Sequence, residues 1–367
     1  MSTPRILVMT AAGKTGFPIA VQLLNEGFAV TAFVRKEDSR SERLKAKGAD
    51  IVVGSLTDIN DMRKAMAGAQ RAYFCTPLEQ GNLKAAALFT AVAAEQKLES
   101  VVAMSQWLAN PNHPSLQTRE VWLADRLLAL LPGTDVTFIN VGFFADNDMQ
   151  SLPFAAQFGV VLLPYRSGLN AAPSNEDIAA VAAEILARPE GHAGKTYRPT
   201  GPKLMSPEDI AAAFTNVLGR HVRYIDAPIW ILLKVFQGFG LSQYTIAQFQ
   251  QYLLDYQKNA FGVNAPTDVV RTITGREPEE YEAIIRRYAA NTPQAKRSFA
   301  TQVQLLFLMV LWMLRPGPKT TSYLALDEFS NRKHVELSAD SSEWRQSHEQ
   351  HTDISLKEKK RETWSSR

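Results

Sequence analysis

The chain has 367 residues, 46% hydrophobic and 21% charged, which suits a soluble globular protein of one large or two interleaved domains. A net charge of +3 with no basic face and no aromatic-basic alternation argues against a nucleic-acid partner. The lone Cys75 excludes an internal disulfide.

The N-terminus, MSTPRILV, runs straight into an apolar stretch, so no signal peptide is expected and the protein is expected in the cytoplasm. Ile6 to Val8 reads as a buried strand, and Ile19, Ala20, Leu23 and Leu24 recur at helical spacing. Between them, Gly13-Lys14-Thr15 looks like the end of a P-loop, but Val8 stands where that loop needs its first Gly. The short turn fits instead a helix N-terminus aimed at a pyrophosphate. In the spacing G-x-x-G-x-x-G, Gly13 and Gly16 take the second and third places and Thr10 the first. A β-branched residue disfavours positive φ, so the turn either uses negative φ at Thr10 or carries strain. The competing reading is a chance Gly pair in a strand-to-helix turn.

A second strand, Phe28 to Val34, ends on Arg35 and Lys36. An acidic residue there would receive ribose hydroxyls; a guanidinium pairs with a 2′-phosphate, with Lys36 or Arg40 adding charge, which points to NADP(H). The alternative is a solvated basic turn paired with Glu37 and Asp38. Helix and strand patterns then alternate through SERLKAKG, ADIVVGSL, INDMRKAMAG, QRAYFCTP, NLKAAALFTAVAAEQK and SVVAMS. A helix near Thr118 to Leu131 and the strand DVTFINVGFF follow. This rhythm predicts an α/β fold: a doubly wound parallel-sheet Rossmann domain over residues 1–150, with ligand beyond the strand C-termini. Cys75, inside RAYFCTP, is expected to be a buried, inert thiol.

Beyond Asp146 the alternation breaks, and residues 151–315 read as a smaller, mainly helical, cleft-covering region that partly returns to the Rossmann sheet. Ser174 and Ser206 are expected N-caps, with Pro207 at a first helical position. GKTYRPTGP and RHVRYIDAP each suggest a short strand and turn. Ser298 to Leu314 is the most apolar run and the only candidate for membrane contact. It is too short for a bilayer core, so a docked core or subunit-interface helix is the expected reading, ahead of a membrane-surface helix or a span. Residues 316–367 form a polar extension whose last part has a disordered composition.

Taken together, ILVMTAAGKTG, AFVRKEDSR, GADIVVGSLTD, YFCTP, VGFFADN, EDIAAVAAEIL and YRPTGPKLMSPEDIAAA resemble the NmrA-like branch of the atypical short-chain dehydrogenases/reductases, from about Ile6 to Tyr288. The resemblance implies an NADP(H)-preferring Rossmann domain and a small C-terminal domain bordering a cleft. Its members include reductases of quinones, dyes and plant phenylpropanoids, and dinucleotide-binding redox sensors without turnover. It places the phosphate loop on Thr10, Ala11, Ala12, Gly13, Lys14, Thr15 and Gly16, and the 2′-phosphate contact on Arg35. It also places Thr76 and Pro77 along the diphosphate and nicotinamide riboside, and Ser105 and Gln106 beside the nicotinamide. The sequence departs from the family pattern at Thr10, at Ser55 for an adenine-side Asp, and at Asn140-Val141 for an Arg-Pro.

A typical short-chain dehydrogenase sets Tyr and Lys one helical turn apart, so that Lys lowers the Tyr pKa and Tyr exchanges a proton with substrate. No Tyr here has a Lys four residues on, and the helix LQTREVWLADRLLALLPG contains neither. Arg119 is its nearest cation and could polarise a carbonyl, while Ser105 is a candidate hydroxyl donor. Trp107, Trp122, Phe143 and Phe144 are candidate walls for a flat electrophile, with core packing as the alternative for each. Asp146 and Asn147 are expected to fix the turn after their strand. His348 and His351 have metal-ligand spacing but no third ligand, His113, His192, His221 and His334 are scattered, and no metal is expected. Two functions remain: an NADPH-dependent reductase of a small aromatic or quinone-like electrophile, and a non-catalytic NADP(H) sensor that docks a partner.

Overall fold

The computed structural model describes residues 3–320 and 335–349. The first half alternates as β1 (Arg5–Val8), α1 (Gly16–Asn25), β2 (Ala29–Val34), α2 (Ser39–Ala46), β3 (Asp50–Val53), α3 (Ile59–Met66), β4 (Arg71–Phe74), α4 (Asn82–Gln96), β5 (Ser100–Gln106), α5 (Leu116–Leu128) and β6 (Asp135–Val141). These strands and β8 (Thr196–Tyr197) form one parallel sheet in the order β3-β2-β1-β4-β5-β6-β8. In β1, Ile6 and Val8 enter the core under α1 and α8 (Asn175–Ala187), while Leu7, and Met9 just past the strand, enter the core on the α3 and α4 face. A strand covered on both faces needs apolar residues throughout, which is why RILV reads as a run and not an alternation. The chain reverses its direction of winding between β1 and β4, and the crevice opens beyond that point.

Helix α5 begins at Leu116, two residues before the sequence suggested, because the Ser115 hydroxyl accepts the Thr118 amide and caps it. After β6 come α6 (Ala145–Asp148), α7 (Leu152–Phe158), β7 (Val160–Leu163), α9 (Pro207–Leu218) and β9 (Arg223–Asp226). Ser174 and Ser206 cap α8 and α9, and Pro207 opens α9. Strand β7, absent from the sequence reading, pairs in parallel with β9 in a second, two-stranded sheet. Then follow α10 (Ile229–Gly238), α11 (Gln243–Gln257), α12 (Val269–Thr274), α13 (Tyr281–Asn291), α14 (Phe299–Leu314) and α15 (Ser342–Glu349).

Two expectations for the C-terminal part are corrected. Ser298 caps α14, but only Leu305 and Trp312 of this helix are buried, so of the expected core or subunit-interface helix the core reading falls. No helix among the described residues is long and apolar enough to cross a membrane. The extension after Arg315 is not uniformly irregular, because α15 buries Trp344 in the main core of the second half. His334, His351 and the tail from Gln350 lie outside the described residues.

Candidate active site

The phosphate loop is built on a strained turn. Beyond β1 the Met9 and Ala11 amides still donate to Tyr73 and Phe33 carbonyls, at 3.1 Å each, which fixes the chain on both sides of Thr10. Thr10 takes φ +48°, so the strained alternative is the one adopted, at a cost of about 1–3 kcal/mol. Its carbonyl accepts the Gly13 amide at 2.7 Å and turns the loop back. A Cβ at Gly13 would lie 2.9 Å from that carbonyl oxygen, and one at Gly16 only 2.5 Å. The amides of Ala12, Lys14, Thr15 and Gly16 donate to no acceptor among the described residues. Free amides and the positive end of α1 make a cradle that fits a pyrophosphate. Lys14 Nζ is ion-paired with the buried Asp146, tying the loop to the start of α6.

Two cavities meet over this loop at Thr76. One, of about 490 Å³, is walled by Thr10, Ala12, Gly13, Arg35, Lys36, Ser55, Thr76 and Pro77. Arg35 is 79% exposed and lies 3.5 Å from Glu79, a weak pair that leaves its guanidinium available. Arg40, by contrast, forks onto Asp38, which holds that carboxyl down at about 2. The other cavity, of about 260 Å³, is walled by Thr15, Cys75, Ser105, Gln106, Trp107, Phe143, Phe144, Asn147 and Tyr252 among others. Cys75 is therefore half-buried against the cavity and not sealed in the core, although burial still pushes its thiol up.

Two residues expected here are elsewhere. The phase set by Ser115 points Gln117 and Val121, one turn apart, at the cavity. Trp122 therefore faces a separate cavity shared with Asp125, Trp344 and His348, under the Arg126 guanidinium. Arg119 is buried and donates to the His113 carbonyl at 3.3 Å. Ser105 is in the wall, but its hydroxyl donates to Asp125 at 2.5 Å. Burial raises Asp125 to about 7. A raised carboxyl is neutral in the fold at low pH, so its contribution is present below about pH 4 and lost as pH rises to about 7. Asp125→Asn, which keeps an acceptor for Ser105, is expected to stabilise the protein by about 2 kcal/mol at pH 8 and by little at pH 4. Thermal unfolding at both pH values checks this, and equal stability at pH 8 would exclude it.

Tyr252, on α11, is the cavity hydroxyl that sequence reasoning missed. Gln106 Nε2 donates to its oxygen at 3.0 Å, while Gln106 Oε1 accepts from Thr118 at 3.2 Å and from the Tyr252 O–H at 3.3 Å. Burial pushes the phenol up, so it stays protonated. The Trp107 wall is braced from behind. Its indole N–H donates to the Ala260 carbonyl at 2.9 Å, and Arg198 lies 3.5 Å over its ring. Trp344 donates to the Trp107 carbonyl at 3.0 Å, and His348 stacks on Trp344. Asp255 accepts from His113 Nε2 and from the Ala339 amide, each at 2.7 Å, so one buried carboxylate ties the loop after β5, α11 and the C-terminal segment.

The NAD(P)H-binding family matches residues 10–189, the span that contains both the cradle and the Arg35 strand end. That span is an NAD(P)H-binding Rossmann domain. Among relatives of this NAD(P)H-binding chain, an NAD(P)H azoreductase of Xenophilus azovorans is 26% identical over 287 residues, covering 78% of this chain and 98% of that one. Quinone oxidoreductase 2 of Escherichia coli is 24% identical over 221 residues, 60% of this chain and 76% of that one. In fold, the chain is similar to the NADPH complex of an Escherichia coli quinone oxidoreductase, with TM-score 0.67, 18% identity, and 77% and 99% of the two chains covered. It is also similar to NmrA, a negative transcriptional regulator, in complex with NADP, with TM-score 0.63, 17% identity, and 86% and 100% covered. The NmrA-like resemblance of its motifs agrees with both.

Proposed function

We propose that this NADP(H)-binding protein is an NADPH-dependent reductase of a small aromatic or quinone-like electrophile. The observation that carries the reading is the aromatic-walled cavity at the far end of the dinucleotide cleft, with the Tyr252 hydroxyl held in its wall by Gln106. When bound, the dinucleotide supplies a hydride. The residues do the rest: the amides of Ala12, Lys14, Thr15 and Gly16 at the start of α1 would hold phosphate, Arg35 would receive the 2′-phosphate, and Trp107, Phe143 and Phe144 hold the acceptor flat and exclude water. Gln106 Nε2 donates to the phenol oxygen, and the Tyr252 O–H, which rests on Gln106 Oε1 at the longer distance of 3.3 Å, turns from that acceptor to give its proton to a substrate oxygen that has gained the electron pair, and water restores it.

Anaerobic mixing with NADPH and a panel of quinones is expected to oxidise the cofactor. Tyr252→Phe should lower kcat by roughly 10–100-fold with KM little changed, since a quinone oxygen also takes protons from water. An unchanged kcat removes Tyr252 from the chemistry. Arg35→Ala should weaken NADPH binding by roughly 10–100-fold and NADH binding by far less; equal losses by calorimetry count against the 2′-phosphate contact. The absent Tyr-Lys pair favours a second reading, a non-catalytic NADP(H) sensor, and silence across the quinone panel with intact NADPH binding would select it.

A further inference from the structure

Helix α14 turns its apolar side outward. Phe299, Val303, Leu306, Phe307, Val310 and Leu314 are each at least half exposed. The helix is nevertheless firmly seated. Trp312 packs so close to Gly238 of α10 that a Cβ there would lie 2.4 Å from the indole. Lys234 Nζ donates to the Met313 carbonyl at 2.7 Å, and the Ser298 amide and Gln302 side chain bond Gln157 at 3.1 and 3.0 Å. Half-exposed Phe239 lies against Trp312 and carries the apolar surface onto α10. Sixteen residues make a helix about 24 Å long, which lies on a bilayer and does not cross it.

The chain segment that carries this helix has charge of one sign. From Ala283 to Thr320 the chain has no Asp or Glu, but it has Arg286, Arg287, Lys296, Arg297, Arg315 and Lys319. Arg287 is committed to Glu176 and Glu279. Lys296, Arg297 and Arg315 are exposed beside the two ends of α14. Burial, and then the like charge of Arg297, push the Arg220 guanidinium down, which shows positive charge concentrated near the start of the helix. A second copy of the chain would bring the like charges of this segment towards one another. An anionic lipid surface meets both the apolar stripe and the charge. Beneath α14, Phe154, Leu163, Ile231, Val235, Met309 and Met313 line a narrow apolar groove of about 50 Å³ that shares Phe143 and Asn147 with the reaction cavity.

We propose that the α10–α14 face seats the protein on an anionic bilayer surface, and that the groove beneath it receives the ring-proximal methylenes of the apolar tail of a lipid-borne hydride acceptor, whose remainder stays in the bilayer. The second clause rests on the reductase reading; the first does not. Full-length protein is expected to float with vesicles containing phosphatidylglycerol, to float less with phosphatidylcholine alone, and to stay behind as Val303→Glu/Phe307→Glu, whose side chains are exposed. Wild-type protein that floats with neither vesicle overturns the proposal. So does a wild-type dimer in light scattering that the double variant turns into a monomer, which gives the face to a second copy. In kinetics, a quinone with a decyl tail is expected to have a lower KM than its tailless parent. Ile231→Trp, which fills the groove, should raise the tailed KM about tenfold, the worth of roughly two methylenes, and leave the tailless one unchanged. Equal KM values for both quinones overturn the groove assignment, whereas no NADPH oxidation with either removes the reductase reading and leaves the flotation result standing.

Discussion

Gly16→Ala is expected to lower NADPH affinity by at least roughly a hundredfold and to destabilise the fold by about 1–3 kcal/mol. The added Cβ would sit 2.5 Å from the Thr10 carbonyl oxygen and 3.0 Å from the Ala11 Cα, both backbone atoms. Backbone cannot swing aside as a long side chain can. Thr10 is already in the left-handed region and its carbonyl is engaged by the Gly13 amide, so the turn has no easy direction of retreat. Relief has to come from α1 moving away from β1, which displaces the free amides from the phosphate position. Thr10→Gly separates loop strain from this clash. It relaxes the positive φ, gives back a similar amount in unfolded-state entropy, and is expected to be near neutral for stability. Combined with Gly16→Ala it should not rescue binding, because the clashing atom is the carbonyl that every residue carries. Calorimetric titration with NADPH and urea unfolding of the three variants check this. Wild-type affinity in Gly16→Ala would mean that the phosphate does not sit at this turn.

The parts of this molecule legible in the sequence are those that local chemistry decides. Strands covered on both faces need apolar runs, and Ile6 to Val8 and Ala29 to Val34 have them. Ser174 and Ser206 cap helices because a hydroxyl before a helix accepts its free amides wherever that helix goes. The cradle was legible for the same reason: a Gly-rich turn between strand and helix leaves few other geometries. The short run Val160 to Leu163 was not, since four apolar residues between helices carry no period that separates strand from helix. Trp122 and Arg119 were misplaced by rotation: their facing depends on where α5 starts, and Ser115 sets that. Tyr252 and Trp344 escaped notice because their partners, Gln106 and Trp107, are 146 and 237 residues away. No spacing rule reaches across that distance. The inward wall of the cavity is thus tertiary information, while its phosphate end is local.

Trp344→Ala tests that distant wall, and it is expected to cost about 3–5 kcal/mol of stability. Its indole is 4% exposed, meets Trp107 edge-on at 5.7 Å between centroids, and stacks on His348 at 4.3 Å. Removing it leaves a void behind Trp107 and an unanswered Trp107 carbonyl, and burying a polar group without a partner adds to the cost. Ser338 still holds the Leu108 carbonyl and Ala339 still holds Asp255, so the segment stays attached while the wall it braces loosens. Function should therefore change in one place only. The quinone KM is expected to rise several-fold, because a wall less than fully fixed holds a flat acceptor less well. NADPH affinity should stay within about twofold, since the cradle at Gly13 and Gly16 shares no contact with α15. Trp344→Phe, which keeps apolar bulk but loses the donor, should fall between the two, at about 1–2 kcal/mol. Urea unfolding, NADPH titration and quinone kinetics on the three proteins give these separately. Wild-type stability in Trp344→Ala would show that α15 does not rest on Trp107, and an equal loss of NADPH affinity would show a general loosening of the Rossmann domain instead of a local one.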